Sequence, residues 1–244
     1  ELNPQQLAAV TCPPGPALVI AGAGSGKTRT LTYRVAFLLE QGVPPDRVLL
    51  LTFTNKAARE MLRRVEELLG RLPGGLWGGT FHAIGHRVLR LHGERLGYRS
   101  DFGILDRDDT RQFLGACVKE GGSELGKSRL PKPEVLAEIF SLAANLQLSV
   151  GTVLERFFDH LLPVQEPIET VHRMYQERKL AAQLMDFDDL LIQWLRLLQE
   201  HPEVCEHWQR RFEFILVDEY QDTNTVQSRV VDLLAARHHN LMVV

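Results

Sequence analysis

Apolar residues follow two rhythms along this chain. In the first third, short unbroken apolar runs at residues 17–21, 48–53 and 76–80 alternate with stretches whose apolar positions recur every three or four residues. Unbroken runs of that length suit strands buried on both faces, and the helical spacing between them suits the crossovers of a parallel sheet. Helices are predicted over residues 27–41 and 56–69, where Gly42 and Gly70 stop them, with Pro44-Pro45 as a connector. From about residue 83 to 205 strand-like runs nearly vanish. Asp106 is placed to cap one helix there, Pro133 to open another, and Gly121-Gly122 and Gly151 punctuate. The strand rhythm resumes at residues 212–218, a helix follows over 223–236, and the chain closes on the apolar run 241–244. The pattern predicts an α/β fold in which residues 1-85 and 208-244 share one parallel sheet and 86-207 form a helical insertion.

Composition narrows the function classes. With 244 residues, 44% of them hydrophobic, the chain can bury an ordinary core without covalent staples. Cys12, Cys117 and Cys205 are scattered and form no CxxC, which supports neither a disulfide framework nor a zinc site. A net charge of −3 argues against holding nucleic acid by bulk electrostatics, so any such contact needs a local basic face. No apolar run reaches the roughly 20 residues of a membrane helix, and the opening ELNPQQ lacks the features of a signal peptide. No membrane partner and a cytoplasmic location are therefore expected. Glu1 is not an initiator and the chain ends on a strand-like run, so a piece of a longer protein is expected, monomeric by itself.

The strongest chemical signal is Ala21-Gly22-Ala23-Gly24-Ser25-Gly26-Lys27-Thr28, a P-loop pattern with Ala21 at its first glycine position. Glycines let backbone N–H groups curl around phosphate, and the helix that follows points its positive end at the same anion. Lys27 is placed for the β- and γ-phosphates of ATP and Thr28 for Mg2+. A P-loop also needs a carboxylate for the metal and one for the attacking water. Asp218-Glu219, delivered by the strand before it, supplies both: Asp218 for Mg2+ and Glu219 as the base.

The segment Asp218-Glu219-Tyr220-Gln221-Asp222-Thr223 resembles the DExxQD box of UvrD-like superfamily 1 helicases, and AGAGSGKTR resembles their first motif. Leu2 to Gln6 is similar to the family's Q-motif, which implies that Gln6 reads the adenine edge, while Arg29 falls where the family stacks a guanidinium on that base. Residues 52–58 resemble motif Ia, Gly79-Thr80-Phe81-His82 the next DNA-contacting motif, and Asp186-Phe187-Asp188-Asp189-Leu190 the DFxxL element. These marks cover essentially the whole chain. They imply a RecA-like domain with an inserted helical domain, from the N-terminal part of a 3′-to-5′ DNA helicase or translocase of the repair or replication-restart type. Single-stranded DNA and single-strand/duplex junctions are the implied substrates, with repair or transcription proteins as candidate partners.

Phe53 and His82 are placed to stack on bases, while Thr54, Asn55 and Thr80 could meet phosphate oxygens. Phe81 suits core packing better. Lys56, Arg59, Arg63 and Arg64 on one helix, and Arg87, Arg90, Arg95 and Arg99 at the start of the insertion, are candidate basic patches that also suit solvated helix faces. HAIGH lacks the glutamate of a zinc-protease motif, and helix capping accounts for the acidic clusters at 106–109 and 186–189. The resemblance also implies a second motor domain and its arginines, without which slow ATP hydrolysis and no unwinding are expected. The motor of a helicase-nuclease, and a protein-interaction module of a repair factor, stand as alternatives.

Overall fold

The computed structural model describes residues 2–22, 24–71, 73–121 and 130–244. Along the chain come α1 (Pro4–Val10), β1 (Ala17–Leu18), α2 (Lys27–Glu40), β2 (Val48–Thr52), α3 (Asn55–Leu69), β3 (Trp77–Thr80), α4 (Phe81–His92), β4 (Gly103–Ile104), α5 (Arg107–Glu120), α6 (Pro133–Leu146), α7 (Val150–Phe157), α8 (Gln165–Ala181), β5 (Leu184–Met185), α9 (Phe187–Glu200), α10 (Pro202–Arg211), β6 (Phe214–Val217), α11 (Thr225–Ala235) and β7 (Leu241–Val243).

One compact unit takes in Glu1–Arg87, Leu197–Thr223 and Gln227–Val244. Its sheet has the order β1-β7-β6-β2-β3, parallel at every pairing. Every residue of β2 and β6 is buried, which is why their sequences read as unbroken apolar runs rather than alternating ones. One core joins Leu31, Val35 and Leu38 of α2 and Met61 and Val65 of α3 to Val48, Leu50, Leu216 and Met242 of the strands. Elsewhere in the unit Trp208 meets Trp77 edge-on, with ring centroids 5.0 Å apart, and stacks on Phe212 at 5.2 Å. The Arg87 guanidinium lies 3.5 Å from the Trp77 centroid, a cation–π contact on a buried ring.

The first predicted strand is shorter than expected. Pairing with β7 covers only Ala17 and Leu18, extended by the Val19 N–H donating to the Val243 carbonyl, and Ile20 is 87% exposed. The chain leaves the ladder early because it must turn into the glycine-rich loop.

The second unit comprises Val88–Arg196 and Asn224–Val226. Its core draws on α5 (Leu114, Cys117), α6 (Ile139, Phe140), α7 (Val153, Leu154) and α8 (Val171, Tyr175). Helix starts here follow local chemistry: Asp106 and Asp109 form a capping box on α5, Pro133 occupies the first turn of α6, and the Ser149 side chain accepts from the Thr152 amide at the start of α7. The unit also holds a parallel pair that periodicity misses, β4 with β5, each two residues long. Two residues carry too little pattern to be distinguished from a loop.

Candidate nucleotide site

The glycine-rich loop follows β1 and ends at α2. Gly24 at φ +76° and Gly26 at φ +87° occupy the left-handed region that a residue with a Cβ adopts only at a cost. Gly26 is also the N-cap of α2 and makes no side-chain capping bond, so no side chain of its own takes the first-turn amides, which lie at the helix end that attracts an anion. The Ser25 hydroxyl donates to the Gly22 carbonyl at 2.6 Å, closing the loop on itself. Ala23 lies outside the described residues.

Asp218 follows β6 directly. Its backbone N–H donates to the Leu51 carbonyl at 2.9 Å, so the sheet ladder fixes its position. The Thr28 hydroxyl, from the first turn of α2, donates to both Asp218 carboxylate oxygens at 3.2 and 3.4 Å. Beside it the Lys27 ammonium lies 3.6 Å from a Glu219 carboxylate oxygen. Burial pushes the Asp218 carboxyl above the usual carboxylate range and the Glu219 charge adds to this, while the Thr28 hydroxyl and Lys27 pull the other way. A buried carboxylate next to a hydroxyl is a hard-oxygen donor set, which fits Mg2+. Glu219 itself sits at φ +52°, a conformation that costs a non-glycine residue of order 1 kcal/mol and concentrates at functional sites. The Gln221 side-chain amide donates to the Glu219 carboxylate and braces it.

Gln6 reaches the same loop from α1. Its Nε2 donates to the Ser25 carbonyl at 2.9 Å, and its Oε1 accepts from the Asn3 N–H at 3.0 Å as half of a capping box. The Arg29 guanidinium, one position past Thr28, lies 5.4 Å from the Tyr33 ring centroid. The structure thus gathers Gln6, Ser25, Gly26, Lys27, Thr28, Asp218 and Glu219 through direct contacts.

The five DNA candidates occupy two strand ends. Phe53 follows β2, half-buried, with its ring 5.5 Å from that of Phe81. Phe81 is 1% exposed and belongs to the core. Thr54 and Thr80 use their hydroxyl oxygens to accept from the amides of Ala57 and Ala83, so each caps a helix. Asn55 is exposed at the start of α3, and His82 is half-buried in the first turn of α4. The basic residues divide. Arg63 and Arg64 are tied to Glu60, and Arg63 also to Glu67, whereas Lys56 and Arg59 are exposed on the same helix. Arg87 covers Trp77, the Arg90 guanidinium donates to the Ser100 carbonyl, and Arg99 pairs with Asp101.

Residues 2–244 match the model of the UvrD/REP helicase N-terminal domain. The chain belongs to that family. It is 41% identical over its whole length to the ATP-dependent DNA helicase PcrA of Bacillus subtilis and 38% identical to that of Staphylococcus aureus. It spans about a third of the length of these relatives, 32% and 33%. The fold of the UvrD-like N-terminal domain is RecA-like, in agreement with the parallel sheet seen here.

Two buried charges of this UvrD-like chain lie outside every motif its sequence displays. Lys179 of α8 is fully buried and bonds to Asp186 at 2.6 Å and Asp189 at 2.5 Å, inside the segment that resembles the DFxxL element. Arg34 of α2 is 4% exposed and donates to the Val10 carbonyl at 2.8 Å. Each breaks an apolar helix stripe, Val171-Tyr175-Lys179 and Leu31-Arg34-Leu38, and that break is the signal that marks it.

Proposed function

We propose that this chain is the ATP-binding N-terminal part of a 3′-to-5′ ATP-dependent DNA helicase or translocase. Residues 1-85 and 208-244 form its ATP-binding domain and 86-207 its inserted helical domain. The observation that carries the reading is the meeting of Lys27 and Thr28 with Asp218 and Glu219 at the mouth of a glycine-rich loop. Gly22, Gly24, Ser25 and Gly26 present backbone donors to the phosphates, and Lys27 reaches the terminal ones. Thr28 and Asp218 hold Mg2+, which when bound supplies positive charge against the transferred phosphoryl group. Glu219 orients a water and takes its proton. Its pairing with Lys27 keeps it next to the phosphate-binding cation. Gln6 reads the adenine edge and Arg29 stacks on the base.

Single-stranded DNA, and its junctions with duplex, are the proposed substrates. Phe53 and His82 stack on bases, Thr54 and Thr80 meet phosphates through the hydroxyl hydrogens their capping leaves over, and exposed Asn55 does so through its side-chain amide. A monomeric state, a cytoplasmic location and repair-protein partners accompany this proposal. Alone, the chain hydrolyses ATP slowly and does not unwind DNA, because an arginine from a second motor domain accounts for roughly 10³–10⁵ in rate in comparable enzymes. Steady-state ATPase assays of the wild type, Lys27→Ala and Glu219→Gln, with and without single-stranded DNA, test this. The expected result is a low rate abolished by either substitution. Turnover indifferent to both would defeat the proposal.

A further inference from the structure

Helix α1 is seven residues long, and an isolated helix of that length is unstable in water. Val10 is its one buried residue, and Leu7 is 51% exposed, so apolar packing alone gives it little anchorage. Its N-terminus is held by the reciprocal bonds of Asn3 and Gln6. Its C-terminus carries carbonyls without intrahelical partners and the negative end of the helix dipole. The Arg34 guanidinium answers both, since it donates to the Val10 carbonyl from a site that is 4% exposed. Burying this cation against a neutral acceptor is costly, and burial indeed pulls its pKa below the usual arginine value. A helix C-terminus is the kind of neutral partner that offsets that cost.

The position of Arg34 gives the contact a consequence. Arg34 lies on α2, whose first residues are Lys27 and Thr28, while Val10 lies one helical turn beyond Gln6. Gln6 in turn rests on the Ser25 carbonyl of the loop. We propose that Arg34 is a positioning residue for base recognition: by gripping the end of α1 it makes the base-facing Gln6 and the phosphate-facing Lys27 parts of one frame. The proposal rests on the assignment of this loop to ATP and of Gln6 to its base.

Calorimetric titration of the whole chain with magnesium-ATP and magnesium-tripolyphosphate separates base from phosphate. Gln6→Ala and Arg34→Met are expected to weaken ATP about tenfold, the size of one or two net hydrogen bonds, and to leave tripolyphosphate within about twofold. Amides of α1 exchange faster in Arg34→Met while those of β2 and β6 keep their protection. If Arg34→Met fails to fold, Arg34→Lys is measured instead and is expected to fall between the wild type and Gln6→Ala. An Arg34 variant that keeps the wild-type preference for ATP over tripolyphosphate while Gln6→Ala loses it overturns the role of Arg34 alone. Equal weakening of both ligands by the Arg34 variant overturns it too, as damage to the loop. If Gln6→Ala keeps the preference, the assignment of Gln6 fails and this proposal with it.

Discussion

The Thr28 hydroxyl oxygen lies 3.2 Å from a carboxylate oxygen of Asp218, a residue 190 positions away. Only the return of β6 to the sheet beside β2 makes that possible. Asp218→Asn keeps an acceptor for the hydroxyl but loses the charge a cation needs. ATP affinity in this variant is expected to be insensitive to Mg2+, so adding a chelator costs the wild type affinity and the variant almost none. Because burial raises the Asp218 pKa, protonation competes with the cation at higher pH than for a free aspartate. The magnesium-dependent part of ATP affinity should therefore fall on acidification, beginning at higher pH than an ordinary aspartate would give, and be absent at every pH in Asp218→Asn. A magnesium requirement that survives the substitution counts against this site.

Gly24→Ala and Gly26→Ala differ in what they disturb. Both place a Cβ at positive φ, a cost of about 1 kcal/mol in stability. At Gly24 the added carbon meets nothing within 4 Å, whereas at Gly26 it stands 2.8 Å from Gln6 Nε2. Similar drops in melting temperature are expected for the two. Gly26→Ala alone should also lose preference for ATP over GTP; equal nucleotide preference in both variants would show that Gln6 does not depend on the loop.

Much of this was legible in the chain and some was not, for physical reasons. β2 and β6 are buried on both faces, so VLLLT and FILV announce themselves without a partner in view. Gly70, at φ +72°, ends α3 where its glycine is expected. The P-loop and Asp218-Glu219 are local chemical patterns, and their meeting follows once both sit at the ends of parallel strands. The shortness of β1 was hidden, because the apolar side chains of Leu18 and Ile20 suggest burial that the edge of the sheet does not provide. The partners of Arg34 and Lys179 depend on which helices pack together, and periodicity within one helix says nothing of that.

Among the described residues, helix α3 carries exposed cations beside cations engaged with carboxylates. Arg63 is held by Glu60 and Glu67, and the bonds from Arg63 and Arg64 keep the Glu60 carboxyl below its ordinary value, whereas Lys56 and Arg59 are exposed. If this face meets single-stranded DNA, Lys56→Ala and Arg59→Ala should each weaken binding and lower the slope of log affinity against log salt by roughly 0.7. Arg63→Ala should change either quantity little. Fluorescence anisotropy of a labelled oligonucleotide over a salt series measures both, and a larger effect at Arg63 than at Lys56 would reverse the assignment.

Lys179 shows how a buried charge can bind two helices and be unequally sensitive to the loss of its partners. Its ammonium stands between Asp186 and Asp189, whose side chains also accept each other's backbone N–H, with Tyr175 donating to Asp186 at 2.7 Å. One cation and two carboxylates leave an excess negative charge in the core. Burial pushes Asp186 up, but Lys179 outweighs it and holds that carboxyl below its ordinary value. Asp189 takes the consequence: burial and the neighbouring Asp186 charge raise it to about 6. A carboxyl with a folded pKa above its unfolded one contributes stability that is present at low pH and lost as pH rises through the folded value. The native state should therefore lose stability relative to Asp189→Asn as pH climbs from about 4 to about 6, and the variant should equal or exceed the wild type at neutral pH. Its amide oxygen can still accept from Lys179 and from the Asp186 N–H. Lys179→Met leaves two buried carboxylates without a cation and is expected to cost about 3–5 kcal/mol at neutral pH, with much of the loss recovered on acidification. Urea unfolding of the three proteins across that range measures both effects. Parallel pH profiles for the wild type and Asp189→Asn would mean that Asp189 is ionised throughout and that Lys179 neutralises both carboxylates equally.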